Sequence, residues 1–228
     1  MALPLTHDQA AVPPDTRTVA RGFLLSRLGS LFAILPLGVW TVNHLWNQLA
    51  AFSAREDGGR AWEQSVEGHS SNASTTLTFA VVLIPVLWHT VWGIGRMAKT
   101  RPVLIGWFSN FRYWVQRLAA IGLLLFLGAH LWLAWFHPRF VEGSPEPFKE
   151  IAHEMRFHGP TLAVYVLGVL AIAYHLANGL WSFSMAWGLT VSKSGLKWME
   201  RVSLLLFFVL LAIGWAAVYG LYRGGVQV

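Results

Sequence analysis

The sequence predicts an all-α membrane protein, built as one bundle of five transmembrane helices. Three observations lead to this fold class: 55% of the 228 residues are hydrophobic, only 12% are charged, and five long stretches contain no Asp, Glu, Lys or Arg. A soluble domain carries about a quarter charged residues, whereas about 20 apolar residues suffice to cross a bilayer. The composition therefore excludes a disordered chain and argues against an ordinary soluble globule.

The five charge-free stretches predict the helices in chain order. Each stretch is rich in Leu, Val, Phe and Trp and is bounded by charged residues. The second opens with a polar run at 71–76, and the fourth opens at Gly159-Pro160, where proline suits a first helical turn. The prediction is a polar tail at 1–21 and one domain at 22–228, with helices at about 22–52, 75–97, 114–137, 160–190 and 200–222.

The distribution of charge predicts the orientation of the bundle. Five spans place the two termini on opposite sides of the membrane. The side with the N-terminus has eleven Lys and Arg against three acidic residues, and the other side has six against eight. The positive-inside rule makes the N-terminal side cytoplasmic and puts the C-terminus outside. The net charge of +6 is thus a topology signal, and no nucleic acid is expected as a partner.

Histidine is the strongest available ligand for a redox centre in this chain. No cysteine is present, which excludes disulfides, thiolate nucleophiles, iron–sulfur clusters and Cys-type zinc sites. Nine histidines occur, and four of them lie deep in apolar stretches, one in each of the first four predicted helices. At ~1.5 Å per residue, each of the four lies roughly 20–25 Å into its helix. They are His44, His89, His130 and His175.

The matched depths predict two histidine pairs. Because successive helices alternate in direction, His44 and His130 are expected to meet near the outer face of the membrane. His89 and His175 are expected to meet near the cytoplasmic face. We call these the outer pair and the inner pair. The fifth helix has no such histidine and is expected to be peripheral.

The residues around the inner pair favour a flat ligand. Both inner histidines are followed four residues later by glycine, Gly93 and Gly179, which places each glycine on the same helix face as its histidine. A missing side chain one turn away leaves room for a planar ring against the helix.

Two facing neutral imidazoles are the axial ligands of a low-spin haem iron, and each keeps a second ring nitrogen for a hydrogen bond. Zinc needs three or four converging ligands, and the spans contain no Asp or Glu to complete such a set. A single intramembrane histidine is explained equally well by a hydrogen bond to a neighbouring helix. Four at matched depths favour a functional role, and we predict two bis-histidine haems b.

Three stretches carry a resemblance to a known family. The first runs from Phe23 to Ser30 and continues through Leu-Pro-Leu-Gly at 35–38 to His44-Leu45; the second is the motif Phe-Arg-x-Trp-x-Gln-Arg at 111–117; the third, the most specific, is 174–190. Together they resemble the cytochrome b subunit of succinate:quinone oxidoreductases. The kind resembled is the single-anchor, di-haem, five-helix type of menaquinone-using bacteria. The resemblance covers about residues 22–222.

The resemblance implies a three-subunit complex at the cytoplasmic membrane of a bacterium. An FAD-containing flavoprotein oxidises succinate or reduces fumarate, an iron–sulfur subunit relays electrons, and this subunit anchors both on the cytoplasmic face of the lipid bilayer. The anchor does not itself act on succinate; it passes electrons to a membrane quinone, menaquinone rather than ubiquinone. The four histidines match the family's ligand pattern for two haems b, with His44 and His130 on the outer iron and His89 and His175 on the inner iron.

Further site residues are expected from the needs of haem and quinone. In relatives a glutamate between the first two helices serves quinone protonation near the outer haem. The spacing does not choose between Glu63 and Glu67, and either is otherwise a solvated loop carboxylate. Donors for the inner haem propionates are available at the inner ends of helices one and three, although the same residues also fit ordinary positive-inside flanks. These candidates are Arg27, Ser30, Tyr113 and Arg117.

The chain departs from its resembled family at two positions. Relatives often have histidine where this chain has Gly29, so a polar contact near the inner haem is expected to be missing. Some fumarate reductases have a glutamate two residues before the ligand in helix four, used for proton movement. Here that residue is Ala173, which argues against such a proton path.

Two other functions remain open at the level of sequence. A di-haem cytochrome b of a hydrogenase or formate dehydrogenase would share the four histidines, but not the helix-four signature at 178–182. A haem-free transporter or channel would tend to show broken helices or intramembrane acids, and it would leave the histidine pairs unexplained. The direction of turnover, succinate oxidation or fumarate reduction, is also open.

Overall fold

The computed structural model describes residues 16–67, 76–99, 107–143 and 148–226, and these residues contain no strand. Five of its helices are long and apolar enough to cross a membrane, which confirms the all-α class with five spans. Residues 1–15 of the predicted tail, and the expected start of the second span at Thr75, lie outside the described residues. The spanning helices are α1 (Gly22–Asp57, with helical turns from Thr16), α3 (Thr76–Lys99), α4 (Asn110–Glu142, with helical turns from Trp107), α6 (Gly159–Ala186) and α7 (Lys193–Gly224); the short helices are α2 (Arg60–Glu67) and α5 (Phe148–Phe157).

The connection between α6 and α7 differs from its predicted position. Helix α6 ends at Ala186 rather than at 190, because Gly188 has a positive φ of 68° and reverses the chain. Helix α7 begins at Lys193 rather than at 200, and the Ser192 side chain accepts a hydrogen bond from the Gly195 N–H at 3.0 Å. Hydropathy marks where the apolar stretch begins, whereas backbone hydrogen bonding and an N-cap allow the helix to start earlier in its polar flank.

Prolines inside the spans are accommodated by wider helical turns. Residues Ala33–Gly38 of α1, which include Pro36, form a π-helical segment. Residues Phe79–Leu83 of α3 do the same, and Pro85 follows two residues later. Proline has no N–H for the helical ladder and its ring crowds the preceding turn, so a local change of helical pitch absorbs both effects.

Small residues let the second half of the bundle pack closely. A Cβ on Gly168 of α6 would overlap the ring of Phe126 on α4, and a Cβ on Gly214 of α7 would lie 2.5 Å from Val169. Leu210 of α7 is 1% exposed. Helix α7 therefore packs tightly along α6 with one face, while Leu205 and Phe208 on its other side are exposed. The expectation that the fifth helix is peripheral stays a prediction.

The two short helices close one end of the bundle. The rings of Trp62 on α2 and Phe148 on α5 meet edge to face, 5.6 Å apart. Both belong to a buried cluster with Ala51, Met155 and Leu221 from α1, α5 and α7. We call this the capped end; the basic end, opposite to it, contains Arg27, Arg112 and Trp187. The sequence analysis predicts loops at both of these short helices.

Gly168→Ala is expected to lower the stability of the bundle by about 1–3 kcal/mol, the usual cost of overpacking a tight site. The added methyl group would displace the Phe126 ring. Thermal loss of helical circular dichroism in detergent measures this effect. Gly122→Ala is the matched control, because its Cβ would lie 3.7 Å from Ala171 across the same α4–α6 interface. Equal melting temperatures for the two variants would contradict the packing account.

Candidate functional site

The structure brings the two members of each predicted histidine pair together. In the outer pair, the ring centres of His44 on α1 and His130 on α4 are 5.9 Å apart, with an angle of 68° between the ring planes. In the inner pair, the ring centres of His89 on α3 and His175 on α6 are 6.0 Å apart at 74°. The depth argument therefore paired the right rings. Their role as iron ligands stays a prediction.

The ring separations fit two ligands on opposite sides of one metal ion. A coordinating imidazole nitrogen lies about 2 Å from the metal, and roughly 1 Å separates that nitrogen from the centre of its ring. Two such rings on one ion thus have centres about 6 Å apart, as both pairs do. Among the described residues no three His, Cys, Asp or Glu side chains converge on one point, so the arrangement suits an ion whose other ligands come with a cofactor.

His89 is held by a backbone carbonyl group. Its Nδ1 donates a hydrogen bond to the carbonyl oxygen of Gly29 on α1 at 3.2 Å, which leaves Nε2 for a metal. A ring N–H given to a carbonyl is the usual way in which a protein orients a ligating histidine. A Cβ on Gly29 would lie 2.6 Å from the indole of Trp92. Trp92 therefore occupies the space beside position 29.

His175 is held by a side-chain amide. The Nε2 atom of Gln116 on α4 lies 3.1 Å from Nδ1 of His175 and donates to the carbonyl oxygen of the same residue at 3.2 Å. The Oε1 atom of Gln116 accepts a hydrogen bond from the amide of Asn178 at 2.9 Å. The Gln116 side chain thus lies beside the ring of His175 and bridges α4 and α6.

The outer pair has a more aromatic environment. Nδ1 of His130 lies 3.1 Å from Oη of Tyr165, and Phe126 stacks on the same ring at 5.3 Å. His44 stacks on Trp40 one turn earlier, with ring centres 4.6 Å apart and planes within 10°. Tyr165 also belongs to the buried cluster under the capped end, so the outer pair and the cap share one packed region.

The space that the sequence predicted beside the inner pair is open. A Cβ on Gly93 or on Gly179 would meet no atom within 4 Å, so no neighbouring helix packs against either glycine and a planar ring could lie beside it. In the described part of the chain, the Nε1 atom of Trp181 is the buried side-chain polar atom without a hydrogen-bond partner. Trp181 lies one and a half turns beyond His175 on α6 and offers an N–H for an acceptor of a bound group.

Two of the propionate candidates lie together on α1. The hydroxyl group of Ser30 donates to the carbonyl oxygen of Arg27 at 2.9 Å and accepts a hydrogen bond from Nε1 of Trp187 at 3.1 Å. The guanidinium group of Arg27 lies over the rings of Phe23 and Trp187. These contacts tie the start of α1 to the end of α6 at the basic end.

The other two candidates lie together on α4. The guanidinium group of Arg117 sits 4.3 Å from the ring centre of Tyr113 and 6.0 Å from that of Trp114. Both candidates are one turn or less from Gln116, which contacts His175. The basic end thus supplies cationic and hydroxyl groups from both α1 and α4.

The structure gives Glu63 a specific structural contact. Its carboxylate accepts a hydrogen bond from the backbone N–H of Phe148 at 3.0 Å, so that α2 caps the start of α5. Glu67 ends α2, and its side chain lies outside the described residues. The loop that was expected to be solvated is thus helix α2, and the carboxylate of Glu63 is hydrogen-bonded. The choice of the quinone acid remains open.

Sequence reasoning missed several polar partners of the histidines. Gln116 and Asn178 both lie inside stretches that carry the family resemblance, but neither was assigned a role there. Tyr165 and the carbonyl group of Gly29 gave no sequence signal, because their roles depend on which helix faces meet. The repeated occurrence of amide side chains in apolar spans was the available clue, since such groups are costly in a membrane without partners.

The fold and the site define an integral membrane protein with two histidine pairs, one above the other across its helices. No protein-family model matches the chain. The chain is 30% identical over 203 residues to the succinate dehydrogenase cytochrome b558 subunit of Bacillus subtilis (strain 168), which covers 87% of this chain and 96% of that protein. The chain belongs to the family of cytochrome b membrane anchors of succinate dehydrogenase, as its resembled motifs predicted.

Glu63→Ala is expected to destabilise the capped end by about 1 kcal/mol, because the Phe148 N–H loses its acceptor at a helix start. Thermal unfolding in detergent measures the loss. Gln64→Ala, at an exposed position of the same helix, is the control and should leave the melting temperature unchanged. A Glu63→Ala melting curve that superimposes on that of the control would show that this capping contact is unimportant.

Proposed function

We propose that the chain is the di-haem b membrane anchor of a succinate:quinone oxidoreductase, passing electrons between the iron–sulfur subunit and a membrane quinone. The observation that carries the proposal is the presence of two facing imidazole pairs, 5.9 and 6.0 Å between ring centres, in a chain of a cytochrome b family. The partner flavoprotein would carry out the chemistry on succinate, and this subunit would be the non-catalytic anchor for that step.

The two histidine pairs would hold the two haems b by axial ligation. His44 and His130 would hold the outer one, and His89 and His175 the inner one. Haem supplies reversible one-electron redox chemistry when bound. The chain's own contribution would be to hold His89, His175 and His130 through Gly29, Gln116 and Tyr165, which leaves Nε2 of each ring for the iron.

Space and charge at the inner site support the same proposal. The open face beside Gly93 and Gly179 fits a planar macrocycle. The propionates would be met by the groups at the basic end. These are the predicted donors Arg27, Ser30, Tyr113 and Arg117, to which the orphaned N–H of Trp181 is added. Cations and N–H groups suit carboxylates because hydrogen bonds to a charged acceptor are roughly twice as strong as neutral ones.

The basic end is proposed as the cytoplasmic end. Lys and Arg concentrate on that side of the sequence, with eleven basic residues against three acidic ones, and such an excess marks cytoplasmic segments. The N-terminus would then be cytoplasmic, in the cytoplasmic membrane of a bacterium, and the flavoprotein and iron–sulfur subunits would dock on that face. The inner pair would lie closer to them.

Quinone would react near the outer pair, towards the capped end. Menaquinone is the proposed quinone because the resembled five-helix, di-haem type occurs in menaquinone-using bacteria. Glu63 or Glu67 would exchange protons with it. The engagement of Glu63 with the Phe148 N–H gives that residue a structural task as well, and separate substitution of the two acids decides between them.

Replacing any one of the four paired histidines by alanine should reduce the haem content from two per chain to one. His89→Ala or His175→Ala should remove the inner haem, and His44→Ala or His130→Ala the outer one, because each iron loses an axial ligand. Pyridine haemochrome quantification on purified protein measures the loss. His153→Ala, at an exposed position of α5, is the matched control. An unchanged stoichiometry would remove the substituted residue from the ligand set.

Glu63→Gln and Glu67→Gln, tested separately, should slow quinone turnover in one case and leave the haem spectra intact in both. Glutamine keeps an acceptor for the Phe148 N–H but cannot exchange a proton with quinone. Succinate:quinone reductase activity of the complete complex measures the effect, with Glu150→Gln at an exposed position of α5 as control. Normal turnover in both variants would refute the assignment of a quinone acid to this loop.

A further inference from the structure

A chain of polar contacts leads from the surface of the basic end to one ring of the inner pair. Glu200 on α7 forms an ion pair with Arg112 on α4, 3.0 Å between Oε1 and a guanidinium nitrogen. The Nε atom of Arg112 donates to Oδ1 of Asn178 on α6 at 3.1 Å. The amide of Asn178 donates to Gln116, and Gln116 contacts His175. We call these residues the inner relay.

The inner relay has a fixed direction. An arginine side chain only donates hydrogen bonds, so Asn178 must turn its amide oxygen towards Arg112 and its N–H towards Gln116. Gln116 then accepts at its oxygen and turns its own N–H towards His175, where the backbone carbonyl oxygen accepts it. Each group thus orients the next. A neutral ring that binds iron through Nε2 carries its proton on Nδ1, so the Gln116 N–H is given to the backbone carbonyl oxygen of His175, beside the ring.

The polar side chains of the inner relay lie between helices, where apolar side chains would pack at a lower cost in free energy. Asn178 is 6% exposed, and burying an amide group without hydrogen-bond partners is unfavourable. Arg112 also lies over the ring of Trp181, 3.9 Å from its centre, so its guanidinium group is held from two sides. Helix packing alone does not require this set of polar groups.

We propose that Gln116 is a positioning residue for His175, and that Arg112 and Asn178 act through it by fixing the orientation of its amide. The inference deepens the proposed function and rests on it. It makes the two sites unequal: the inner pair is connected by the relay to an ion pair at the surface, whereas the outer pair has the contact between His130 and Tyr165 and the aromatic stacking described above. Changes in the relay should therefore alter the inner haem alone.

The test is a redox titration of the purified complex, followed optically and by the low-spin haem signals in electron paramagnetic resonance. The inner component is identified as the one that His89→Ala lacks. Gln116→Leu removes the hydrogen bond to the backbone carbonyl oxygen of His175 at similar size, and it should shift the inner potential and broaden the inner signal. Gln116→Glu places an anionic group beside the ring and should lower the inner potential, because negative charge stabilises the oxidised iron. The outer component should stay unchanged in both.

The relay itself is tested by a double-mutant cycle. Asn178→Ala should shift the inner potential in the wild-type background and add no further shift in Gln116→Leu, because Asn178 is argued to act only through Gln116. Additive shifts would overturn that part of the proposal. If Gln116→Leu does not accumulate as folded protein, Asn178→Ala and Gln116→Glu decide the matter, and an unchanged inner potential in both overturns it.

Two controls separate positioning from general loss of packing. Ser203→Ala removes a buried hydrogen bond from α7 to the carbonyl oxygen of Ala177, and it should lower thermal stability while leaving both potentials in place. Tyr165→Phe should shift the outer potential only.

A wild-type protein without haem would refute the proposed function itself. Two haems in the wild type, with both potentials unmoved by the Gln116 variants, would refute only the positioning role.

Discussion

The spacing of the helices that carry each histidine pair is set by contacts other than the pair itself. In the described part of the chain, α1 and α4 do not pack closely along their backbones, and neither do α3 and α6; the close neighbours are α1 with α3 and with α7, α4 with α6, and α6 with α7. Gly168 and Gly214 allow two of these close approaches. Because those interfaces hold the bundle together, histidine rings from more distant helices can face each other. The gap between the two rings is about as wide as one metal ion with a bond to each ring.

The two gaps have different surroundings, and the difference follows from their place in the fold. The inner pair lies near the basic end, where the Gly29 carbonyl group and the Gln116 amide contact the two histidines and where Arg27, Arg112 and Arg117 also lie. The outer pair lies against aromatic side chains that continue into the buried cluster of the capped end. In the proposed electron path, the polar site faces the soluble partners and the aromatic site faces the quinone. Contacts made to the metal-binding residues, rather than to the metal itself, tune the properties of a bound metal.

Much of this architecture could be predicted from the sequence, because a membrane imposes simple rules. Apolar stretches gave the five spans, and alternating helix directions paired His44 with His130 and His89 with His175. The short helices were missed because their amphipathic stretches lie outside the apolar runs. The roles of Gln116 and Tyr165 depend on which faces of α4 and α6 meet, and periodicity does not supply that. The tight packing of α7 follows from individual glycines, whose partners are known only in three dimensions.

The most direct test of the account is the haem content of the purified wild-type protein in detergent, expressed with adequate haem supply. A dithionite-reduced minus oxidised spectrum together with pyridine haemochrome quantification should give two haems b per chain, partly reducible by succinate when the partner subunits are present. A folded protein that contains no haem under these conditions would contradict the assignment of both histidine pairs as axial ligands.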